Sequence, residues 1–236
     1  MALPMEEYPQ YTITIPSNKT KVIIRPYRVK EEKILLTAKQ GKNLEDILMA
    51  INQIVKNCII TSGVYDNLSL FDIEYIFLRL RAISVDNISK VSYQDNEDNK
   101  VYDFDIDLNT IEVRFPENME KHVKINDKLS LELGYPPATL YSDMNALKAS
   151  NEKLYDILLS KCITKVFDGE KVYDLRDFSV EDVTTFIDNL SITAYNKVKH
   201  FFNNLPQMEY IVEYTNSRGT ERKITLSTLD DFFILD

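Results

Sequence analysis

Glycine is scarce in this chain, five residues in 236, and that scarcity excludes much familiar chemistry. There is no Walker-type loop and no Gly-x-Gly-x-x-Gly, so no glycine cradle for phosphate is present. No Gly-x-Ser-x-Gly turn exists to expose a serine nucleophile. Tryptophan is absent, and only two cysteines and two histidines occur. Cys58 and Cys162 both sit in apolar helical contexts and read as buried, reduced thiols rather than a disulfide. His122 and His200 lie in different segments, and neither has Cys, Asp or Glu at zinc-site spacing. Basic residues are the minority, 28 Lys and Arg against 37 Asp and Glu, for a net charge of −9. That balance, with no basic run, counts against sequence-independent binding to nucleic acid. No apolar stretch approaches the ~20 residues that cross a bilayer, and no charged-then-apolar leader is visible. No membrane partner and no nucleic-acid partner are expected.

What is present is ordinary for a folded chain: 44% hydrophobic residues, 28% charged, with 14 Tyr and 11 Phe. The length suits one large domain or two small ones and can bury a real core. Tyr11, Ile13 and Ile15 alternate with threonines, Pro16–Lys19 is turn chemistry, and Val22–Arg25 returns, which predicts a short β-hairpin. Pro26 ends the pairing because it has no N–H to donate. The run Arg25–Ala38 joins this hairpin to a first helix. Leu44, Ile47, Leu48, Ile51, Ile54, Val55 and Cys58 fall at helical spacing behind an Asn43 cap. The block Phe71–Ala82 is apolar on nearly every side and predicts a buried helix, started by Ser69 with Asp72 as an acidic capping box. Arg79 and Arg81 on it have no acid four residues away. Either their stems pack and their heads reach water, or one forms a buried pair with a strand carboxylate.

From Ile88 to Pro136 alternation predicts strands, with Asp95–Asn99 as an acidic loop and Asn109-Thr110 as a tight hairpin turn. The remainder reads as mostly helical. One helix is lined by Leu154, Leu158, Cys162 and Val166. A second, started by Ser179 with Asp182, is lined by Val183, Phe186, Ile187 and Leu190. A third is lined by Ile192, Tyr195, Val198 and Phe202. A last hairpin, Met208–Tyr214 and Lys223–Leu226, turns at Asn216–Gly219, and Ser227 with Asp230 opens a short terminal helix. The fold class is therefore α+β. Hairpins and a small antiparallel sheet pack on a buried helix in residues 1–140, and a helical portion ending in a hairpin and short helix fills 141–236.

Few residues look chemical. Asp103, Asp105 and Asp107 resemble the start of a calcium loop, but Leu108 stands where glycine is needed and Arg114 where glutamate is needed. They read as the solvated face of a strand whose other face carries Tyr102, Phe104, Ile106 and Leu108. Glu181 and Asp182 are helix-start residues by position. No catalytic, metal or cofactor site is expected. A small enzyme with an unassigned active site is the competing class, and it requires a cleft with converging, perturbed titratable groups. Partner-binding candidates are aromatic and terminal: Tyr8 and Tyr11 near the start, and Phe232, Phe233, Ile234 and Leu235 at the end. That terminal run docks either on its own core or on another chain.

Five ordered segments resemble one family. They are Met1–Pro4 (MALP), Tyr11–Ser17, the Arg-Pro-aromatic-x-Val-Lys-Glu-Glu-Lys run Arg25–Lys33, the helix start Phe71–Tyr75, and Ile125–Pro136. The closing segments Phe201–Tyr214 and Leu229–Phe233 extend the match. Together they resemble the baseplate hub subunit or hub assembly proteins of T-even-type contractile-tailed bacteriophages. Some relatives carry paired cysteines resembling a zinc knuckle at the C-terminal turn; here that turn is Thr215–Lys223, without cysteine, so no metal role carries over. The resemblance implies a non-enzymatic protein that binds hub or tape-measure proteins, as structural subunit or assembly chaperone. It also implies a location in the host cytoplasm during assembly or in the virion tail baseplate.

Overall fold

The Arg25–Lys33 run owes its form to one buried carboxylate. Glu31 has no exposed side-chain surface, and its oxygens take the Arg25 guanidinium at 3.1 Å, the Arg28 N–H at 2.9 Å and the Lys30 ammonium at 3.4 Å. Burial pushes its carboxyl up, but the Arg25 and Arg28 hydrogen bonds outweigh it and hold it below its ordinary value. In the computed structural model, residues 6–41, 43–117, 119–142 and 151–232 are described. The motif Met1–Pro4 and the terminal residues Phe233, Ile234 and Leu235 lie outside them.

The chain divides into two compact units, Met1–Arg114 with Gln207–Asp236, and Phe115–Pro206. The second is inserted into the first, so residues 1–140 and 141–236 each contribute to both units.

The first unit opens with the hairpin β1 (Tyr11–Thr14) and β2 (Lys21–Ile24), in register Tyr11↔Ile24 to Thr14↔Lys21. Helices α1 (Val29–Gln40) and α2 (Leu44–Cys58) follow. The Asn43 side chain caps α2 by accepting the Glu45 N–H at 3.0 Å. The chain leaving α2 returns to β2, where Ile60 N–H bonds Ile23 O and Arg25 N–H bonds Cys58 O. Helix α3 (Leu70–Ser84) is the buried helix that its composition predicts. Phe71, Ile73, Ile76, Phe77, Leu78 and Leu80 all lie in the core, each worth about 1.5–3 kcal/mol of burial. The Ser69–Asp72 capping box forms as expected, with the carboxylate taking the Ser69 N–H at 2.8 Å and its hydroxyl at 2.6 Å.

Strands β3 (Ile88–Gln94) and β4 (Val101–Asp107) pair antiparallel across the acidic loop. Asn109-Thr110 does not make a hairpin. Leu108–Thr110 is a single 3-10 turn, and β5 (Glu112–Arg114) pairs instead with β10 (Gln207–Thr215). Sequence spacing cannot distinguish this: the partner of β5 is far away along the chain, and local turn chemistry carries no signal of it. Arg79 supplies the reason. Its guanidinium donates to Leu108 O at 2.8 Å and Ile111 O at 2.7 Å, and reaches Glu112 at 3.3 Å. Neither expected reading holds in full: Arg79 is buried, but its buried partners are the two carbonyls and its carboxylate contact, Glu112, is exposed, while Arg81 donates to Asp86 O in an exposed position. Strand β10 also pairs with β11 (Glu221–Leu226), giving a three-stranded sheet β11-β10-β5. A final turn, α7 (Leu229–Phe232), is capped by Thr228 and Asp231, one residue on from the expected Ser227 and Asp230.

The second unit contains β6 (His122–Lys124), β7 (Leu129–Leu133), α4 (Asn151–Cys162), β8 (Ile163–Asp168), β9 (Lys171–Asp174), α5 (Val180–Asp188) and α6 (Ile192–Phe202). Its four strands form an antiparallel sheet, β6-β7-β8-β9. The expected helix through Val166 ends at Cys162, and Val166 is a strand residue facing Leu131. The β-branched and aromatic run Ile163–Phe167, closed by Asp168-Gly169, makes a hairpin, and Gly169 takes the positive φ of 60° that the turn requires. One sheet face carries Val123, Leu131, Leu133 and Val166 against Val183, Ile187, Val198 and Phe201. The third stripe is broader than expected: Val198 is buried and Tyr195 and Phe202 pack half-buried on the core, with Ala194 and Phe201 also buried, but Ile192 is 78% exposed.

Candidate interaction surfaces

Among the described residues, the aromatic candidates Tyr8, Tyr11 and Phe232 share no hydrogen bond or ring contact. Tyr8 is half-buried, with the Arg28 guanidinium 4.6 Å from its ring centre. Tyr11 is exposed on β1, opposite Ile24. Phe232 is fully buried, and its carbonyl accepts a hydrogen bond from the Ser89 hydroxyl, so this part of the terminal run is docked on its own unit.

The acidic loop is used internally. Asp95 is fully buried and accepts from the Tyr214 hydroxyl and, at 3.0 Å, pairs with Arg222 Nε. Glu97 accepts from Asn216 Nδ2 at 2.6 Å, and Asp98 from Ser217 N–H at 3.0 Å, Ser217 Oγ at 2.8 Å and Tyr102 OH at 2.7 Å. The tip of the β3–β4 hairpin thus clasps the turn of the β10–β11 hairpin. That turn closes itself through Asn216, whose side-chain oxygen takes the Arg218 and Thr220 N–H groups, with Gly219 at a φ of 82°. Hydrogen bonding from Tyr214 holds the Asp95 carboxyl below its ordinary value. Burial pushes Asp98 up, but bonds from Tyr102, the Lys100 N–H and Ser217 outweigh it and hold it well below. Burial and the Asp95 bond push Tyr214 up to about 12. On the adjoining strand Asp103 accepts from Ser92 Oγ, Asp107 caps the 3-10 turn, and Asp105 is exposed.

Two open grooves lie on the second unit. One groove, about 950 Å³, runs between α6 and the segment Pro116–Lys124, floored by Met119, Val123 and Phe201 and flanked by Glu120, Lys197 and His200. Lys197 donates to Lys124 O at 2.7 Å across it. A second, about 440 Å³, lies beside β9, lined by Leu129, Val166, Tyr173, Phe178, Val183 and Phe186, with Asp168 and Asp182 also lining it. The Tyr173 and Phe178 rings meet edge-on, 6.3 Å apart. This surface is absent from the sequence-level expectations, which run a helix through Val166. The legible sign is the Asp168-Gly169 step after a β-branched run.

His122 sits 3.8 Å from Glu132, and His200 accepts a bond from Asn204 on its carbonyl. Among the described residues no group of three or more His, Cys, Asp or Glu could hold a metal ion, and no helix is long and apolar enough to cross a membrane. Both cysteines are buried and free; burial pushes the Cys58 thiol up to about 11 and the Cys162 thiol higher.

Among the described residues, the site is therefore a pair of open grooves and not a metal-binding cluster. The chain belongs to the T4 bacteriophage base plate protein family, whose model matches residues 8–234. No curated protein and no solved structure matches it. It is therefore a phage baseplate protein, with a structural role in the tail baseplate and other baseplate proteins as its partners.

Proposed function

We propose that this protein works at the centre of the contractile tail baseplate, binding hub or tape-measure proteins so that the hub assembles in order. It acts by binding and without turnover, as a hub subunit or as an assembly chaperone that leaves afterwards. The observation that carries this reading is the family match across residues 8–234, supported by the hub-like segments at Tyr11–Ser17, Arg25–Lys33 and Phe71–Tyr75. Two open grooves on the inserted unit offer contact area, and the acidic loop is engaged within the protein.

The test is capture of the tagged protein from infected cells, run beside mass spectrometry of purified virions. Capture of hub or tape-measure proteins with absence from virions makes it a chaperone. Capture with a fixed copy number in virions makes it a hub subunit. Capture of neither overturns the reading.

A further inference from the structure

Strand β9 is the edge of its sheet. Edge strands offer unpaired N–H and C=O groups to another chain, and proteins commonly guard them with charge or proline. Here the strand is four residues long and charged only at its ends, Lys171 and Asp174; its middle is Val172 and Tyr173, with Val172 55% exposed. Immediately beside this edge is the 440 Å³ groove, apolar along Leu129, Val166, Val183 and Phe186. An open edge next to an apolar pocket is the arrangement that accepts an added strand: main-chain bonds hold it, and a pocket selects a side chain.

Charge then chooses among occupants. From Asp168 to Asp188 the chain has seven acidic residues against only Lys171 and Arg176. Arg176 is already paired with Asp174. Asp168 and Asp182 line the groove itself, and the Asp168 carboxylate has no ion-pair partner among the described residues. A second copy of this chain would set two such acidic margins against each other, which is unfavourable.

We propose that β9 and its groove take an extended segment of another baseplate protein, one carrying a large apolar side chain flanked by lysine or arginine. This inference rests on the reading of the chain as a baseplate assembly protein. The segment adds to the sheet along β9, its apolar side chain enters between Val166, Val183 and Phe186, and its cations face Asp168 and Asp182.

The test presents the full-length chain to an array of overlapping peptides covering the other baseplate proteins of the phage, and measures affinities by fluorescence anisotropy. Peptides with an apolar residue flanked by basic ones are expected to bind. Asp168→Lys, an exposed position, and Phe178→Ser each weaken them about tenfold or more, with unchanged circular dichroism. Val172→Pro removes binding through the edge; if that variant misfolds, the other two still decide. Equal binding by Asp168→Lys and Phe178→Ser overturns the proposal, as does preference for acidic peptides. Self-association that Phe178→Ser abolishes overturns it in favour of a second copy. If no peptide binds while the wild-type protein captures hub or tape-measure proteins from infected cells, the strand-docking inference fails and the hub reading stands. If neither happens, both fail.

Discussion

Ser17 and Asp72, 55 residues apart, are joined by a hydrogen bond from the Ser17 N–H to Asp72 Oδ1 at 3.0 Å. The other carboxylate oxygen caps α3 through Ser69. One buried side chain therefore starts the central helix and ties the β1–β2 turn to it. Asp72→Ala leaves these donors unsatisfied in the interior and is expected to destabilise the protein by about 3 kcal/mol. Urea unfolding checks this, and a loss within error of an exposed substitution such as Asp105→Ala contradicts it.

Arg79 plays the matching part further along α3. It holds the carbonyls of Leu108 and Ile111 and stacks 4.7 Å from the Tyr75 ring centre. Arg79→Met is expected to cost about 2–4 kcal/mol, because two acceptors lose their donors. Arg79→Lys recovers only part, since one ammonium does not reproduce the planar fork. Equilibrium unfolding of both variants gives the comparison.

The clasp between the two hairpin tips predicts a pH dependence. Asp95 and Asp98 have folded values depressed below the ordinary 3.8. A depressed carboxyl contributes stability that is fully present above its unfolded value and is lost as pH falls towards its folded one. The melting temperature is therefore expected to fall as pH drops below about 4, and Asp95→Asn with Asp98→Asn to flatten that dependence while lowering the plateau at neutral pH. Parallel curves for wild type and variant contradict the account.

The thiols give a simpler check. With Cys58 and Cys162 both buried and their ionisation pushed up, neither is expected to react with a maleimide at neutral pH in the folded protein. Both react in denaturant. Fast labelling of the native protein is the contrary result.

Much of this was legible beforehand where the signal is local. The α2 stripe, the all-round apolar α3, its Ser69–Asp72 box and the turn at Asn216 all depend on residues within a few positions of one another. What was illegible depends on distant partners. Nothing near Asn109 shows that β5 pairs with β10, and nothing in Arg79's own helix shows which carbonyls it meets. The error at Val166 is different in kind: its spacing from Cys162 and Leu158 suits a helix, but β-branched residues and Asp168-Gly169 favoured a hairpin. A helix through Val166 leaves no place for β9 or for the groove beside it. The terminal aromatics were conspicuous by composition, yet Phe232 is spent on its own core.

The most direct measurement of the central claim is electron microscopy of cells infected with phage carrying a nonsense codon in this reading frame, with the wild-type chain supplied from a plasmid as the control. The account predicts filled heads without completed baseplates, and normal particles on complementation. Complete contractile tails made in the absence of the protein contradict it.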